Sequence, residues 1–279
     1  MGKAPPANSL RELLAGLPAR PTKPRTTGLT VVIDKHLGVD GLRDFIAVAG
    51  PYVDAVKLTS ATSLFYDEEA LRAKIRLLRD ADIEVMPGGT IGEVMLWRGL
   101  YPAFLARVRE LGFTGVEVSD GTIEMDAETR KMAIGTAAEL GFKVVAEVGR
   151  KEWAEQGTIA DLVADLKRDL ALGADKVIIE AMEFGRSVGI VDDKGQVSEE
   201  GLAALVAAAG GAERIIWEAP LRQQQELFIA RVGANANLGN IPPQEALVVE
   251  ATRLGLTGIP FAQAYARAQG AQASGRAHY

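Results

Sequence analysis

The sequence contains no cysteine and only two histidines, and both shortages limit its chemistry. Without cysteine the chain has no disulfide bond, thiolate metal site, iron–sulfur cluster or cysteine nucleophile. The second of the two histidines, His36 and His278, lies at the extreme C-terminal end, so a two-histidine metal site and a Ser-His-Asp triad are hard to build. An enzyme of this composition must therefore use carboxylates, lysines and amides.

Long apolar runs and an excess of positive charge are also missing. No segment approaches the roughly 18 apolar residues of a membrane-spanning helix, and the N-terminus MGKAPPANSL lacks the apolar block of a secretory signal. The 37 Asp and Glu residues outnumber the 31 Lys and Arg residues, whereas nucleic-acid binding depends on a concentrated basic surface. We therefore expect a cytoplasmic protein that binds neither membranes nor nucleic acid, with room for a local site for a small anion.

Eight short apolar runs, each followed by a helix-like segment, indicate the fold class. Short strands that alternate with helices are typical of parallel βαβ units, and eight units of roughly 30 residues fill a (β/α)8 barrel. A doubly wound sheet is the alternative, but the first run ends in Asp34-Lys35-His36 rather than in a glycine-rich loop. We predict an α/β protein with a single TIM barrel, whose strands span residues 29–33, 55–58, 83–86, 115–118, 143–147, 176–180, 214–217 and 234–238.

The two ends of the chain differ in composition from the repeating part. Prolines and basic residues before the first run predict an extended arm over about residues 1–27, with one short helix at Leu10–Leu14. The small-residue-rich end predicts a flexible tail over about residues 262–279. No second domain is expected within residues 1–279.

Charged residues cluster where the predicted strands end. The working residues of this fold lie at the carboxyl ends of its strands, and a charge there needs a partner, a metal or a substrate because parallel strands are covered on both faces. Glu147, Glu180 and Glu218 end three successive strands, so their carboxylates could meet and bind Mg²⁺, with Asp34 or Asp120 as further ligands. The alternative is that each glutamate forms a structural ion pair with a neighbouring Lys or Arg.

Three lysines, Lys35, Lys57 and Lys151, occupy the same rim. They can bind an anionic substrate or transfer a proton, because a desolvated lysine near other cations has a lowered pKa. The alternative is a surface lysine whose stem covers apolar groups. The Gly88-Gly89-Thr90 turn can bring backbone N–H groups close to an anion, although Gly-Gly also marks any tight turn.

Ordered motifs along the chain resemble those of the phosphosulfolactate synthase family of coenzyme M biosynthesis. The resemblance covers nearly the whole chain, from about Lys23 to Leu256. Its motifs are Lys23-Pro24-Arg25, Asp34-Lys35, Lys57-Leu58, Gly88-Gly89-Thr90 with Glu93, Glu117-Val118-Ser119-Asp120, Glu147-Val148-Gly149 with Lys151, Ile179-Glu180-Ala181 with Glu183, Glu218-Ala219-Pro220 with Gln224-Gln225, Asn237-Leu238-Gly239-Asn240 and Arg253-Leu254-Gly255-Leu256.

The resemblance implies a Mg²⁺-dependent (β/α)8 barrel that adds sulfite to C3 of phosphoenolpyruvate through a metal-stabilised enolate. It implies that Lys151 donates the proton, with Lys35 and Lys57 as further catalytic residues. It also implies a homo-oligomer and suggests a trimer. The residues that we predict to bind the anionic substrates are Arg25, Gly88, Gly89, Thr90, Ser119, Arg186, Gln224, Asn237, Gly239 and Asn240.

The chain departs from the family pattern at several rim positions. His36 and Ala61 stand in segments where the family has glycine, Met182 stands where the family commonly has arginine, and Thr257 and Ile259 replace an arginine and an aspartate. Methionine cannot reproduce the bidentate clamp of an arginine on phosphate or sulfonate. Two alternatives therefore stay open. One is a related conjugate addition, hydration or elimination on a different enolisable acid, and the other is a degenerate barrel that serves as a binding or assembly protein.

Overall fold

Parallel strands alternate with helices in a computed structural model of the protein, which describes Leu10 and residues 20–59, 61–149, 158–180 and 198–275. Among these residues there are eight strands: β1 Thr30–Asp34, β2 Ala55–Leu58, β3 Glu84–Pro87, β4 Gly115–Val118, β5 Lys143–Val148, β6 Lys176–Ile179, β7 Ile215–Glu218 and β8 Leu238–Ile241. The α-helices are α1 Val39–Ala49, α2 Glu68–Asp80, α3 Gly89–Trp97, α4 Tyr101–Leu111, α5 Ala127–Glu139, α6 Ile159–Leu172, α7 Glu199–Ala209, α8 Arg222–Val232, α9 Ala246–Arg253 and α10 Gly258–Gly275.

The strands form one nearly closed barrel. Their order is β3-β2-β1-β8-β7-β6-β5-β4, and β3 also lies beside β4. This arrangement confirms the predicted (β/α)8 barrel. The predicted strands agree with the observed ones to within one residue at each end, except for the last strand. Strand β8 begins at Leu238, four residues after the predicted start.

The last strand was placed too early because its predicted first half is a turn. Ala234 and Asn235 form the turn, and the Asn237 side chain is buried. The Asn237 amide accepts a hydrogen bond from the Leu29 backbone N–H and donates to the Ile215 carbonyl. Alanine and asparagine are depleted in strands, so composition gave a signal against this part of the prediction.

The barrel wall presents different side chains to its two faces. Side chains alternate along each strand, and the outward-facing ones pack with the helices in a large apolar core. The inward-facing ones include a separate apolar cluster, which we call the lumen layer: Val31, Ala55, Met86, Val145, Ile178 and Ile216. On the inner face, charged residues lie two positions before or two positions after the lumen-layer residue of the same strand. They are Lys57, Glu147, Glu180 and Glu218 toward the carboxyl ends, and Glu84, Lys143 and Lys176 toward the amino ends.

The chain before β1 crosses the amino end of the barrel. Residues 20–29 contain neither helix nor strand. Lys23 donates hydrogen bonds to the carbonyls of Gly50 and Ala81, and Arg25 pairs with Asp54 at 2.7 Å. Only Leu10 of the predicted Leu10–Leu14 helix is described, and it is helical.

The C-terminal segment contains more helix than its composition suggested. Helix α10 runs from Gly258 to Gly275 and overlaps most of the predicted tail, whose flexibility stays a prediction. Alanine and glutamine are frequent here, and their helix propensity is high. No helix of the described part of the chain is both long and apolar enough to span a membrane.

Candidate active site

Lys57 lies inside the barrel in a buried ion pair with Glu117. The two side chains project from the inner faces of β2 and β4, and Lys57 is 3% exposed. Lys57 Nζ donates to Glu117 Oε2 at 2.7 Å, and the backbone N–H of Gly89 donates to Glu117 Oε1 at 2.8 Å. Because Gly89 is the first residue of α3, a helix N-terminus with unpaired amides holds the same carboxylate as the lysine.

Carboxylates determine the protonation state of Lys57. Burial alone would lower the pKa of Lys57, but attraction to Glu117, Glu147 and Glu218 outweighs it and raises the pKa above the ordinary lysine value. We expected neighbouring cations and a lowered pKa here, and the structure corrects that expectation. Burial raises the pKa of Glu117, the attraction of Lys57 opposes this rise, and repulsion from Glu147 adds to it. Lys57 is therefore a fixed positive charge rather than a proton donor near neutral pH.

Three further carboxylates point into the barrel at its carboxyl end. Glu147, Glu180 and Glu218 are at most 6% exposed, and the alternation of β5, β6 and β7 directs all three toward the lumen. Asn240 Nδ2 donates to Glu218 Oε1 from the neighbouring strand β8. However, no three Asp, Glu or His side chains of the described residues lie close enough to hold a metal ion together. The structure brings Glu147 and Glu218 to the same lysine, and the predicted magnesium site at these carboxylates stays a prediction.

The two other predicted ligands, Asp34 and Asp120, are engaged by buried cations. Asp34 lies on the outer face of β1, where Lys74 of α2 approaches Oδ2 at 2.6 Å and the N–H groups of His36 and Leu37 donate to Oδ1. Arg130 of α5 approaches Asp120 at 3.1 Å. Asp34 is directed away from the lumen, and both residues fit the alternative of structural ion pairs.

Arg25 and Asn237 lie at the wrong end of the barrel for the substrate contacts that we predicted. Arg25 pairs with Asp54, which immediately precedes β2. Asn237 immediately precedes β8 and bonds the chain just before β1. Lys57, Glu117, Glu147 and Glu218, which we call the charged cluster, lie at the opposite, carboxyl end. Neither side chain therefore reaches it. The structure corrects both predictions: these residues hold the amino end of the barrel together.

The glycine turn after β3 is the start of a helix. Gly88 precedes α3 and Gly89 is its first residue, with Thr90 half-buried behind it. A Cβ at position 89 would lie 2.7 Å from Glu117 Oε1 and would also collide with Ser119 Oγ. Gly89 therefore permits the close packing of α3 on β4. Its N–H is already bonded to Glu117, so it is not a free donor for an external anion.

Glu93 of α3 organises the loop after β4. Ser119 Oγ donates to Glu93 at 2.5 Å, and the backbone N–H groups of Thr122 and Ile123 donate to its other oxygen at 2.9 and 3.1 Å. Ser119 is therefore held by Glu93 at the rim. The remaining predicted contacts at this end are Gln224, which accepts the Leu221 N–H, Gly239 and Asn240.

Left-handed backbone conformations bring two rim residues, Asn240 and Gly149, close to the carboxylates. Asn240 has φ +54°, which turns its amide toward Glu218. Gly149 has φ +113°, and a Cβ there would lie 3.0 Å from Glu180 Cβ. Glycine tolerates this conformation without a steric cost, so Gly149 keeps the chain close to Glu180 as it leaves β5.

The other predicted site residues cannot be placed in the cluster. Lys35 and His36 are exposed at the carboxyl end of β1. Lys151, Arg186 and Met182 lie outside the described residues, so the predicted roles of Lys151 and Arg186 stay predictions.

Sequence reasoning missed two buried cations behind the rim, Lys74 and Arg130. Lys74 donates to Asp34, Tyr66 and the Leu37 carbonyl. Arg130 pairs with Asp169 and donates to the Glu147 carbonyl at 2.8 Å. Lys74 falls on the buried face of α2 with Leu71, Ile75 and Leu78. A lone cation on an apolar helix stripe is the signal that could have identified it.

The fold and the position of the cluster define the class of protein: a TIM barrel with its charged site at the carboxyl ends of the strands. In fold the chain is similar to the YdjI aldolase from Escherichia coli K12, with a TM-score of 0.54 and 11% identity over 82% of this chain and 86% of the aldolase. It is also similar to 3-hexulose-6-phosphate synthase from Salmonella typhimurium, with a TM-score of 0.52 and 15% identity over 82% of this chain and all of the synthase. At these identities the likeness shows the fold alone.

Sequence comparison identifies the family. Residues 18–258 match the model of the (2R)-phospho-3-sulfolactate synthase family, ComA. The chain is 40% identical over 236 residues to phosphosulfolactate synthase of Methanocaldococcus jannaschii, which covers 84% of this chain and 94% of that protein. It is 34% identical over 247 residues to phosphosulfolactate synthase of Bacillus subtilis, covering 88% and 96%. The chain belongs to the ComA family, which confirms the resemblance and makes the protein a lyase-type enzyme.

Proposed function

We propose that the protein is a Mg²⁺-dependent carbon–sulfur lyase that adds sulfite to C3 of phosphoenolpyruvate. Membership of the ComA family supports the reaction. The observation that carries the location is the buried pair Lys57–Glu117 with Glu147 and Glu218 beside it, at the end of the barrel where this fold has its active sites.

The proposed reaction requires one nucleophilic attack and one protonation. The sulfur lone pair of sulfite forms the C–S bond at C3, and the C2–C3 π electrons move toward C2 and the substrate carboxylate. A proton then bonds to C2, which gives phosphosulfolactate. The fixed positive charge of Lys57 would stabilise the negative charge that develops on the carboxylate, because a preorganised charge in a buried site acts strongly. The proton donor expected from the family resemblance is Lys151.

The donor set at the rim suits Mg²⁺ in its chemistry. Mg²⁺ prefers oxygen ligands and commonly takes one or two carboxylates, with waters and substrate oxygens completing its shell. Glu147 and Glu218 would hold it, because both are buried and both act on Lys57, and Glu180 follows on the same inner face. When bound, the ion would neutralise charge on the substrate carboxylate.

A direct assay tests this proposal. With both phosphoenolpyruvate and sulfite present, we expect the enol absorbance to fall only when Mg²⁺ is added. Glu147→Gln and Glu218→Gln should each raise the Mg²⁺ concentration for half-maximal rate at least tenfold. Asp34→Asn is the matched control, since Asp34 faces α2, and its Mg²⁺ dependence should equal that of the wild type. If phosphoenolpyruvate is not consumed in the presence of any divalent metal, the proposal is wrong.

A second candidate keeps the enolate chemistry and changes the reactants. It is favoured by Thr257 and Ile259, which replace charged residues of the family pattern; the Thr257 hydroxyl bonds Thr252 and Ile259 is 58% exposed. A panel with thiols in place of sulfite, and with acceptors that lack phosphate, separates the two candidates. Family membership favours an enzyme over a non-catalytic assembly protein. A cytoplasmic location and a homo-oligomer stay predictions.

A further inference from the structure

A cavity lies at the amino end of the barrel, on the far side of the lumen layer from the proposed active site. Its volume is about 330 Å³, which is within the range of small-molecule sites. Its floor consists of five of the six lumen-layer residues, and the arm residues Lys23–Thr26 form part of its mouth.

The cavity exists because small residues face this part of the lumen. Ala55 contributes only a methyl group to the inner face of β2. Gly115, which pairs in register with Lys143, contributes no side chain from β4. Most barrels fill their interior with layers of large side chains. Here the apolar floor is left open to the amino end.

Most charged groups around this cavity already have partners. Lys23 and Lys176 donate to backbone carbonyls at 2.5 to 3.3 Å, and Arg25 pairs with Asp54. Asp175 accepts the Val144 N–H at 2.8 Å. These contacts hold the arm and the strand ends in place, and they account for five of the eight charged residues that line the cavity. A sixth, Asp82, is exposed and attracts Lys23.

Glu84 and Lys143 remain, and they carry opposite charges. They line the same cavity from the inner faces of β3 and β5. In the part of the chain that the structure describes, neither side chain has a hydrogen bond or an ion pair. Two strand spacings, roughly 10 Å along the wall, separate their backbones, with Gly115 of β4 between them. The long side chains can therefore approach a ligand from both sides.

We propose that this cavity binds a free α-amino acid with a branched apolar side chain. The ammonium group pairs with Glu84, the carboxylate pairs with Lys143, and the side chain packs on the lumen layer. A singly charged ligand would satisfy one of the two residues and place its charge beside the like charge of the other. A zwitterion satisfies both, and charge-assisted hydrogen bonds are the stronger kind. The apolar floor adds the preference for a hydrocarbon side chain.

Calorimetric titration with three matched compounds tests the proposal. L-leucine carries both charges, 3-methylbutylamine carries only the positive one, and 4-methylpentanoate carries only the negative one. We expect leucine to bind at least tenfold more tightly than either analogue. Binding should be unchanged by saturating phosphoenolpyruvate and Mg²⁺, because those ligands occupy the other end of the barrel. Displacement of leucine by them would overturn the assignment.

Variants locate the site. Glu84→Gln and Lys143→Met should each weaken leucine binding at least tenfold. Glu139→Gln and Lys131→Met make the same changes at exposed positions of α5 outside the cavity and should leave it unchanged. Leucine should also slow amide hydrogen exchange over residues 82–86 and 141–145 of the wild type. No leucine binding at millimolar concentration, equal binding of an analogue, or no protection of these segments would each reject the proposal.

Discussion

Lys57 and Glu117 each make the burial of the other possible. Lys57→Met would leave the Glu117 carboxylate buried beside Glu147 without its cation. Breaking a buried pair in this way costs about 3–5 kcal/mol, so we expect a loss of that order in the free energy of unfolding. The double variant Lys57→Met/Glu117→Gln should recover a large part of the loss. Urea denaturation of the wild type, of Lys57→Met, of Glu117→Gln and of the double variant measures the coupling, and simple additivity would contradict a direct pair.

The same pair predicts a dependence on alkaline pH. The pKa of Lys57 is raised in the folded protein. Its contribution to stability is therefore complete below about pH 10.4, the ordinary lysine value, and is lost as the pH rises through the folded-state value. The stability difference between the wild type and the double variant should shrink over this window. Urea unfolding at a series of pH values from neutral to alkaline measures it, and a constant difference would argue that Lys57 is not stabilised in its charged form.

Ala61 carries a conformational cost that glycine would remove. Its φ is +57°, a left-handed conformation that costs a residue with a Cβ roughly 1–2 kcal/mol. The greater freedom of glycine in the unfolded chain offsets about 0.4–1 kcal/mol of that. Ala61→Gly should therefore raise the urea midpoint slightly. Ala203→Gly, at an exposed position within α7, is the control and should lower the midpoint, since glycine costs about 1 kcal/mol in a helix.

At the level of single elements, the start of α3 depends on the absence of a side chain. Gly89→Ala would push a methyl group into Glu117 Oε1 and Ser119 and displace the carboxylate that holds Lys57. We expect at least a tenfold loss of the proposed activity and a destabilisation of about 1–3 kcal/mol from overpacking. Gly92→Ala in the same helix is the control. Its Cβ would meet only ordinary contacts at 3.6 and 3.8 Å, so activity should persist. Equal losses in both variants would contradict the argument.

The alternation of residues within each strand made the barrel and part of its cluster predictable. Sequences such as KVVAEV and KVIIE place a charge, an apolar residue and a charge on one face, so the inward direction of Glu147 and Glu180 follows from a period of two. The same rule shows why Asp34 was misjudged. Ile33 pairs with Lys57 in register and therefore faces the lumen. Asp34 is the next residue, so it faces the helices instead.

The ends of the elements were harder to read from sequence. A motif such as Lys23-Pro24-Arg25 precedes the first strand and gives no indication of which side of the barrel its side chains reach. Likewise, Gly88-Gly89-Thr90 is compatible with a loop or with a helix start. Tertiary contacts decide both cases: Arg25 bonds Asp54, and the Gly89 N–H bonds Glu117.

At the scale of the whole molecule, the arm fastens the amino end of the barrel. Arg25→Gln removes the partner of Asp54 and the hydrogen bonds to the carbonyls of Pro21 and Pro51. Burial already raises the pKa of Asp54 against the pull of Arg25. We expect a loss of about 3 kcal/mol with an unchanged KM for the anionic substrate. Arg43→Gln, which breaks only an exposed pair with Asp40, should change stability by less than about 0.5 kcal/mol. A raised KM in Arg25→Gln would restore the substrate role.

The lumen layer also limits the routes by which protons can cross the inside of the barrel. A relay of protons needs a continuous file of waters or polar groups, and apolar enclosures of this kind stay dry. Val31, Ala55, Met86, Val145, Ile178 and Ile216 interrupt any such file along the barrel axis. Protons that the proposed reaction takes up or releases would therefore enter and leave the active site from the carboxyl end. Isotope exchange between a bound intermediate of that reaction and solvent would then take place at the carboxyl end, and the amino end would have no part in it.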